Sequence, residues 1–271
     1  MELNDKDSKD DNPEDKEHRG LTIFIKIGVV VLSIIMIISF GIKVLPQAIT
    51  VSSTGSKLEL PIYCVNTEEK KVALSFDAAS GDEDIQKILD ILTKYNIKVS
   101  FFVTGNWVSK YPDDVKAIVA AGHDLGNHSE NHKQMSQLTK EECKDEIMKV
   151  HNRVKDLTGI DMNLFRPPYG DYNNTLIGEA KECGYYSIQW NVDSSDWKDY
   201  GVDSIINKVV DNKHLDNGSI ILLHCGAKYT PDALEAIING LQDKGYDIVP
   251  ISKLIYTGVY KVNRMGMQYA K

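Results

Sequence analysis

From about residue 70 onward, short apolar segments alternate with segments in which apolar residues recur at helical spacing. Residues 72–76 are strand-like, and Ile85, Ile88, Leu89 and Leu92 follow them at the i, i+3, i+4, i+7 spacing of an amphipathic helix. The other strand-like segments are 99–103, 186–192, 219–223 and 247–251. Apolar strands separated by helices predict a parallel sheet that is covered on both faces. About seven such units in roughly 200 residues predict an α/β fold, a closed or nearly closed (β/α) barrel.

Two helix starts are readable from capping chemistry. Thr139 and Glu142 have the spacing of a capping box, and Thr230-Pro231 places a proline in the first turn of another predicted helix. In a β/α barrel, functional groups collect on the loops that follow the strand C-termini. The residues after each predicted strand are therefore the first place to look for a site.

The N-terminal region differs in composition from the rest of the chain. Residues 1–20 hold eight acidic and four basic groups with little apolar surface, which predicts a disordered acidic tail on the cytoplasmic side. Residues 21–44 predict one transmembrane signal anchor, because residues 21–42 contain a single charge and are long enough to span a bilayer. A cleavable signal peptide is the alternative, although no clear A-x-A cleavage site follows.

The distribution of Lys and Arg sets the expected orientation. These residues are concentrated before the apolar segment, which favours an N-terminus inside the cell and a bulk domain outside the membrane. Residues 45–69 are then a stalk and entry segment, residues 70–255 the main domain, and residues 256–271 a C-terminal tail.

Charge and cysteine usage exclude several classes of function. The chain of 271 residues has a formal net charge of −8 and no basic stripe, so we expect no nucleic-acid partner. It contains neither a nucleotide-binding motif nor the G-x-S-x-G elbow of serine esterases. Its four cysteines form no C-x-x-C pair, and we expect them to be buried thiols, with disulfides as the alternative in an outward-facing domain.

Polar residues follow the predicted strands at the same end of each unit. The set is Asp77, His128, His132, Arg166, Asp193, Asp196 and His224. Scattered surface residues would not be expected to choose the same end of every unit. The ordering therefore predicts one site assembled from five loops.

Each of these residues also has a structural interpretation when taken alone. His128 and His132 are four residues apart and could face one metal ion, or they could be two unrelated loop histidines. The segment Arg166-Pro-Pro-Tyr-Gly170 could be a rigid turn, and Asp77 could be a helix N-cap. His224 could be a satisfied core histidine. Their joint order along the chain favours function.

At these residues the sequence resembles the NodB-homology polysaccharide deacetylases, carbohydrate esterase family four, over residues 70–255. The resemblance implies a distorted (β/α) barrel in which Asp77 is the general base, oriented by Arg166. It implies that His128 and His132 bind a divalent metal, zinc or another first-row transition metal. It further implies that Asp196 keeps His224 protonated as the general acid. Tyr169 would contribute a backbone NH to the oxyanion, and Trp197 and Leu222 would line the acetyl pocket.

One position departs from the family pattern. The first motif usually has two consecutive aspartates, of which the second is a metal ligand, and this chain has Ala78 in that place. Two imidazoles alone make a poor catalytic zinc site, which normally has three protein ligands. Asp82 or Asp84 could be the substitute ligand, a water could fill the position, or Asp77 could bind the metal itself.

These features together predict a metal-dependent hydrolase that cleaves carbon–nitrogen bonds other than peptide bonds. We expect a single-pass membrane protein that removes N-acetyl groups from an amino-sugar polymer outside the cytoplasmic membrane, with peptidoglycan as the leading candidate. The alternatives are a degenerate carbohydrate-binding protein on the same fold and a deacetylase of another polysaccharide such as acetylated xylan. A polysaccharide substrate and the membrane are the expected partners, without a nucleotide.

Overall fold

The computed structural model describes residues 59–271. The predicted acidic tail, the membrane segment 21–44 and residues 45–58 of the stalk lie outside the described residues. Within residues 59–271, no helix is both long enough and apolar enough to cross a membrane.

The described chain alternates strands with helices, as predicted. The strands are β1 (Cys64–Val65), β2 (Lys71–Ala78), β3 (Ser100–Val103), β4 (Asp124–Asn127), β5 (Leu164–Phe165), β6 (Tyr186–Ser187), β7 (Val192–Asp193), β8 (Ile220–His224), β9 (Asp247–Ile248), β10 (Tyr260–Val262) and β11 (Met267–Ala270). The helices are α1 (Ile85–Lys94), α2 (Gly105–Lys110), α3 (Pro112–Ala120), α4 (Lys140–Thr158), α5 (Asn174–Glu182), α6 (Val202–Val210), α7 (Thr230–Asp243) and α8 (Ile251–Leu254). Short 3-10 turns occupy Met135–Gln137, Pro168–Gly170 and Asp196–Lys198.

The main sheet is parallel throughout and strongly curved. Its strand order is β6-β5-β4-β3-β2-β8-β7, with β9 pairing with β2. The two edge strands, β6 and β7, are separated in sequence by only residues 188–191, which span at most roughly 18 Å. The edges of the sheet must therefore approach one another, so the parallel α/β prediction is confirmed in a barrel-like form.

This crossing corrects the prediction of one strand over residues 186–192. The segment instead contains β6 and β7 at opposite edges of the sheet, joined by a connection that pairs with other parts of the chain. In that connection the Gln189 amide donates to the Ile62 carbonyl at 2.7 Å, and the Asn191 amide donates to the Ile220 carbonyl at 3.1 Å. A continuous apolar run does not reveal that the chain leaves one edge and joins the other.

Alternation along β2 separates two hydrophobic clusters and places the first functional residue. Val72, Leu74 and Phe76 belong to the large cluster that includes the buried faces of the helices. Ala73 belongs to a second, smaller cluster on the opposite face of the sheet. Successive strand residues point to opposite faces, so Asp77 lies on the same face as Ala73, inside the curved sheet.

Both predicted helix starts are confirmed, and the first of them has a complete cap. The Thr139 hydroxyl accepts from the Glu142 amide at 3.2 Å, and the Glu142 carboxylate accepts from the Thr139 amide at 2.9 Å, which is a complete capping box for α4. Gly159 ends α4 at φ 77°, a left-handed conformation that glycine adopts at low cost. α7 begins at Thr230 with Pro231 in its first turn.

Residues 256–271, predicted as a C-terminal tail, contain the antiparallel hairpin β10–β11. β11 also pairs with β1, so this segment joins the stretch predicted as the entry segment in a separate three-stranded sheet. Gln268 is fully buried there and bonds to the Tyr256 backbone through both its amide nitrogen and its oxygen. Two strands this short carry too few residues to give a readable alternation.

Candidate active site

A cavity of about 490 Å³ lies at the carboxyl ends of the parallel strands. Its walls are formed by Asp77, Ala79, Ser80, His128, His132, Tyr169, Trp190, Asp193, Trp197, Leu222 and His224. Arg166 and Asp196, the remaining predicted catalytic residues, are completely buried behind this wall. The structure therefore brings together all nine residues to which the sequence resemblance gives a role in chemistry, metal binding or the acetyl pocket.

Asp77 is held in place by a buried arginine. Arg166 Nη1 donates to Asp77 Oδ1 at 2.7 Å, and Arg166 Nη2 donates to the Ser75 hydroxyl at 2.8 Å. The guanidinium also stacks on the Phe102 ring, with 4.1 Å from Cζ to the ring centroid. Burial alone would raise the pKa of Asp77, but the charge and hydrogen bond of Arg166, together with the neighbouring His128 and His224, lower the pKa of this carboxyl. Asp77 is therefore an ionised carboxylate with one oxygen still free of Arg166.

The two predicted metal-binding histidines point their Nε2 atoms at each other. His128 Nδ1 lies 2.7 Å from the Arg166 carbonyl oxygen, which can only accept, so Nδ1 carries the proton and Nε2 presents a lone pair. His132 Nε2 lies 3.2 Å from His128 Nε2, and Asp77 Oδ2 lies 3.4 Å from His128 Nε2. Burial lowers the pKa of His128 to about 4 and also lowers that of His132, so both are neutral imidazoles near neutral pH.

The loop that carries both histidines is held by hydrogen bonds to Glu146 of α4. The Glu146 carboxylate, which is only 5% exposed, accepts from the Asn131 backbone amide and from the Asn131 side-chain amide, each at 2.8 Å. Ser129 and His132 have positive φ of 65° and 54°, so the loop is held in a conformation that non-glycine residues seldom adopt. The His132 amide donates to the Ser129 hydroxyl at 3.0 Å, which closes the turn.

His224 and Asp196 form the second acid–base pair. His224 Nδ1 lies 2.7 Å from Asp196 Oδ1, and the His224 backbone amide donates to Asp196 Oδ2 at 2.7 Å. The Thr230 hydroxyl, at the start of α7, also donates to Asp196 Oδ2, at 2.6 Å. Burial disfavours the imidazolium, but the hydrogen bond and charge of Asp196 outweigh it and raise the pKa of His224. The same contacts lower the pKa of Asp196.

Strand register brings the two acid–base pairs together. Asp77 on β2 and His224 on β8 are direct partners in the parallel ladder. Ile220, Leu222 and His224 alternate onto one face of β8, with Leu222 next to the imidazole in the cavity wall. Neighbouring strands are about 4.8 Å apart, so one small ligand can reach both Asp77 and His224.

The cavity rim is aromatic. Trp197 and Tyr169 are 60% and 64% exposed, and both line the cavity. The Tyr169 ring packs edge-on against His132, with 4.5 Å between the centroids. Tyr169 has φ 61° and ψ 7°, a left-handed conformation inside the turn Pro168–Gly170.

Among residues 59–271, neither Asp82 nor Asp84 is placed to replace the aspartate that is absent at position 78. Ala78 is fully buried in the large hydrophobic cluster. Both carboxylate oxygens of Asp84 accept from the Gly226 amide, at 3.0 and 2.9 Å, and Asp82 is not part of the cavity wall. Within residues 59–271, no group of three or more His, Cys, Asp or Glu side chains is arranged to hold a metal ion.

The imidazole pair nevertheless has the geometry of two metal ligands. Ligands at roughly 2.0–2.1 Å around a tetrahedral ion are roughly 3.3 Å from one another, close to the 3.2 Å between the two Nε2 atoms. The donors His128 and His132 therefore fit a divalent transition metal. A further donor, Asp77 Oδ2, lies 3.4 Å from His128 Nε2.

Several supporting residues were not predicted from the sequence. Ser75, Glu146 and Thr230 each bond to a predicted site residue or to its loop, but they come from elements distant in the chain. Of these three residues, Ser75 would have been the easiest to predict from the sequence, because a polar residue two places before Asp77 lies on the same face of a strand. The four cysteines are free thiols as predicted, and the predicted burial is confirmed for Cys64, Cys143 and Cys225, whereas Cys183 is partly buried.

Comparisons with known proteins agree with this geometry. The family model described as polysaccharide deacetylase matches residues 65–188. The uncharacterised protein YlxY of Bacillus subtilis is 34% identical over 195 residues, which cover 72% of this chain and 60% of YlxY. The peptidoglycan-N-acetylglucosamine deacetylase of Bacillus cereus is 35% identical over 191 residues, which cover 69% of each chain.

Solved structures include both active and inactive relatives. A CE4 family pseudoenzyme from Bacillus anthracis superposes with a TM-score of 0.70 at 31% identity, covering 74% of this chain and 70% of that one. A mutant of that pseudoenzyme with restored enzymatic activity superposes with a TM-score of 0.69 at 32% identity, covering 74% and 72%. The resemblance found in the motifs and the expectation of a deacetylase-family hydrolase are thus confirmed, and the chain belongs to the polysaccharide deacetylases, the family 4 carbohydrate esterases.

Proposed function

We propose that this chain is an active deacetylase that hydrolyses the N-acetyl groups of an amino-sugar polymer. The observation that carries the proposal is the pair of opposed acid–base units in one cavity: Asp77 fixed by Arg166, and His224 fixed by Asp196. Amide hydrolysis needs a base to activate water and an acid for a poor leaving group. The two units supply both.

Asp77 is the base. Arg166 occupies Oδ1, so Oδ2 faces the imidazole pair and accepts the proton of the attacking water. The C–O bond forms as that proton moves to the carboxylate. The lowered pKa of Asp77 keeps the carboxylate ionised near neutral pH.

His224 is the acid. Asp196 binds Nδ1, which leaves Nε2 to donate a proton to the nitrogen as the C–N bond breaks and the free amine departs. The raised pKa of His224 keeps that proton available near neutral pH. Leu222 and Trp197 form the wall against which the acetyl methyl packs.

His128 and His132 would hold the divalent metal. When bound, the ion lowers the pKa of the attacking water and polarises the acetamide carbonyl. With Ala78 in place of a third ligand, we expect weaker metal retention than in a site with three protein ligands.

The substrate that we propose is peptidoglycan outside the cytoplasmic membrane. The peptidoglycan-N-acetylglucosamine deacetylase of Bacillus cereus and the predicted membrane segment 21–44 support this choice. Membrane fractionation and protease accessibility of intact cells test the location. Protein found free in the medium, or protected inside the cell, would contradict it.

Acetate release tests the activity. The full-length chain with added Zn²⁺ should release acetate from muropeptides, and Asp77→Asn should lower the rate by about 10²–10⁴-fold, the usual contribution of a general base. Lys94→Met is a matched control, because Lys94 forms an exposed ion pair with Glu235 on the helical layer. Equal rates for the wild type and Asp77→Asn would contradict the proposal.

A second candidate function is carbohydrate binding without turnover. Ala78 and the similarity to a pseudoenzyme favour it. In that case the wild type binds oligosaccharide but releases no acetate, and Ala78→Asp gains activity. Under the active-enzyme proposal, the wild type turns over and Ala78→Asp changes mainly the metal concentration needed.

A further inference from the structure

The C-terminal hairpin β10–β11 has an exposed face that takes no part in the active site. Direct partners in an antiparallel pair point to the same side, so Lys261 lies beside Tyr269, with its ammonium 5.6 Å from the centre of that ring. The Lys271 amide donates to the Val259 carbonyl at 3.1 Å, which adds this pair to the same side. Gln268 points to the opposite side and is fully buried. The hairpin therefore has one buried and one exposed face.

The exposed face and its turn combine apolar side chains with cations. Met265 in the turn is 84% exposed and Val259 is 74% exposed, the two highest values among the large apolar side chains of residues 59–271. Arg264 directly precedes Met265, and Lys271 lies opposite Val259. We call this set the hairpin surface; it consists of Val259, Lys261, Arg264, Met265, Tyr269 and Lys271.

The charge of this part of the chain is opposite to that of the whole. Residues 253–271 contain four basic and no acidic residues, in a chain with a formal net charge of −8. Within residues 59–271, no carboxylate lies within 4.0 Å of the side-chain nitrogens of Lys261, Arg264 or Lys271. Unpaired cations beside exposed apolar side chains fit the interface of an anionic bilayer. A soluble polyanion would match the charges but leave Val259 and Met265 in water.

The point at which the chain enters the domain lies beside this hairpin. Glu59 and Leu60 line a cavity of about 310 Å³ together with residues 258–262. Fourteen residues, 45–58, separate Glu59 from the predicted membrane segment 21–44, and they can span at most roughly 50 Å. A bilayer that holds this segment is therefore within reach of the hairpin surface.

The hairpin surface is separate from the catalytic cavity. β11 pairs with β1, and the Val65 amide of β1 donates to the Gly218 carbonyl at 2.9 Å. Gly218 precedes β8 and His224 ends it, so about six residues of extended chain, roughly 20 Å, separate the two points. None of the six residues of the hairpin surface lines the cavity. Contacts with a bilayer there use no part of the cavity wall.

We propose that the hairpin surface docks on an anionic lipid bilayer. Val259 and Met265 enter the headgroup region, and the ammonium and guanidinium groups of Lys261, Arg264 and Lys271 bind the lipid phosphates. The surface thereby gives the domain a fixed orientation on the membrane. The proposal rests on the proposed membrane location and does not depend on the proposed catalysis.

The test is a fluorescent label in the turn of the hairpin. The full-length Met265→Cys chain, labelled with an environment-sensitive fluorophore, is reconstituted into vesicles of phosphatidylcholine alone or with phosphatidylglycerol. The emission should shift to the blue, and quenching by iodide should fall, only in the vesicles that contain phosphatidylglycerol. High salt should reverse both changes. Adding Lys261→Gln or Lys271→Gln should lower the ratio of docked to free domain about fivefold each, the usual effect of one cation at such a surface.

Matched variants control for charge and for the position of the label. Lys110 is exposed and lies 4.8 Å over the Tyr111 ring, much as Lys261 lies over Tyr269, but it is outside the hairpin surface. Lys110→Gln should leave the docked fraction unchanged. A label at Tyr200→Cys, a position that is 65% exposed, should not shift. The wild type treated with the same reagent gives the background from the partly buried Cys183.

The outcomes separate the surface from the other proposals. Equal emission in the two kinds of vesicle would overturn the docking surface, and so would equal effects of Lys110→Gln and Lys261→Gln. The same blue shift with soluble polyphosphate would assign the surface to a polyanion instead of a bilayer. A shift in phosphatidylglycerol vesicles from which an alkaline wash removes the chain would sustain the surface and contradict only the membrane segment. Docking without acetate release would sustain the surface and contradict only the proposed activity.

Discussion

Replacing Arg166 by methionine tests whether the buried ion pair holds the site together. Arg166 is completely buried, and its guanidinium makes 2.7 and 2.8 Å hydrogen bonds to Asp77 and Ser75. Methionine fills much of the volume but leaves the Asp77 carboxylate buried without its cation. Breaking a buried pair from one side typically costs about 3–5 kcal/mol of unfolding free energy. For a domain of this size that corresponds to a fall in Tm of roughly 6–20 °C.

The loss depends on pH in a direction fixed by Asp77. In the wild type the pKa of Asp77 is lowered, so its contribution is present above the unfolded pKa and is lost as pH falls through the folded pKa. In Arg166→Met, the charge and hydrogen bond of Arg166 are lost while burial still raises that pKa, so the free-energy cost of keeping the Asp77 carboxylate ionised is greatest at neutral pH. The difference in unfolding free energy between the two proteins should therefore shrink as pH falls toward the ordinary carboxyl range.

Urea unfolding followed by circular dichroism, with EDTA present, measures both effects. The double variant Arg166→Met/Asp77→Leu should recover most of the loss, because an apolar pair can replace a buried ion pair at little cost. Lys94→Met, which breaks an exposed pair, should change stability little. A loss below about 1 kcal/mol for Arg166→Met, or no recovery in the double variant, would refute the reasoning.

Four further outcomes follow from the site. Asp196→Asn should lower the pKa of His224, because burial then acts without the Asp196 carboxylate. The high-pH limb of the plot of kcat against pH should therefore move to lower pH, and an unmoved limb would contradict the assignment of His224 as the acid. Glu146→Gln should weaken Zn²⁺ binding about 10–100-fold, because the loop that carries His128 and His132 loses hydrogen bonds to the Glu146 carboxylate. Competition with a chromophoric chelator measures this affinity, and an unchanged affinity would contradict the supporting role of Glu146. His132→Gln should abolish stoichiometric metal binding in the same titration, whereas full retention would exclude the imidazole pair as the site. Tyr169→Ala should leave kcat within about tenfold, because the resemblance assigns the role to the backbone NH, and a loss near that of a missing oxyanion donor, about 10²–10³-fold, would assign it to the side chain instead.

The sequence predicted the site better than it predicted the sheet. Asp77, Arg166 and His224 were identifiable because each follows an apolar strand, and parallel strands end at one edge. The strand over 186–192 was predicted as one element because local composition does not record that the chain crosses between sheet edges. Two edge strands of two residues each depend on partners that are distant in sequence.

The contacts that support the site residues could not be predicted from local sequence patterns, because they also depend on partners that are distant in sequence. Glu146 looks like a surface residue of a charged helix, and only the packing of α4 against the histidine loop buries it. The sequence shows at Ala78 that the usual third metal ligand is missing, but it does not show whether another carboxylate takes its place. The sequence offered Asp84 as a substitute, and the fold commits that carboxylate to the Gly226 amide.

The central claim is that the imidazole pair and the two acid–base units form one working hydrolytic site without the usual second aspartate. Elemental analysis of the purified full-length chain, combined with acetate release from muropeptides by the same sample, tests it most directly. We predict up to one transition-metal ion per chain, with an acetate rate that rises in proportion to the metal bound and disappears after mild chelation. Fully metal-loaded protein that releases no acetate, or a rate indifferent to metal content, would contradict the account.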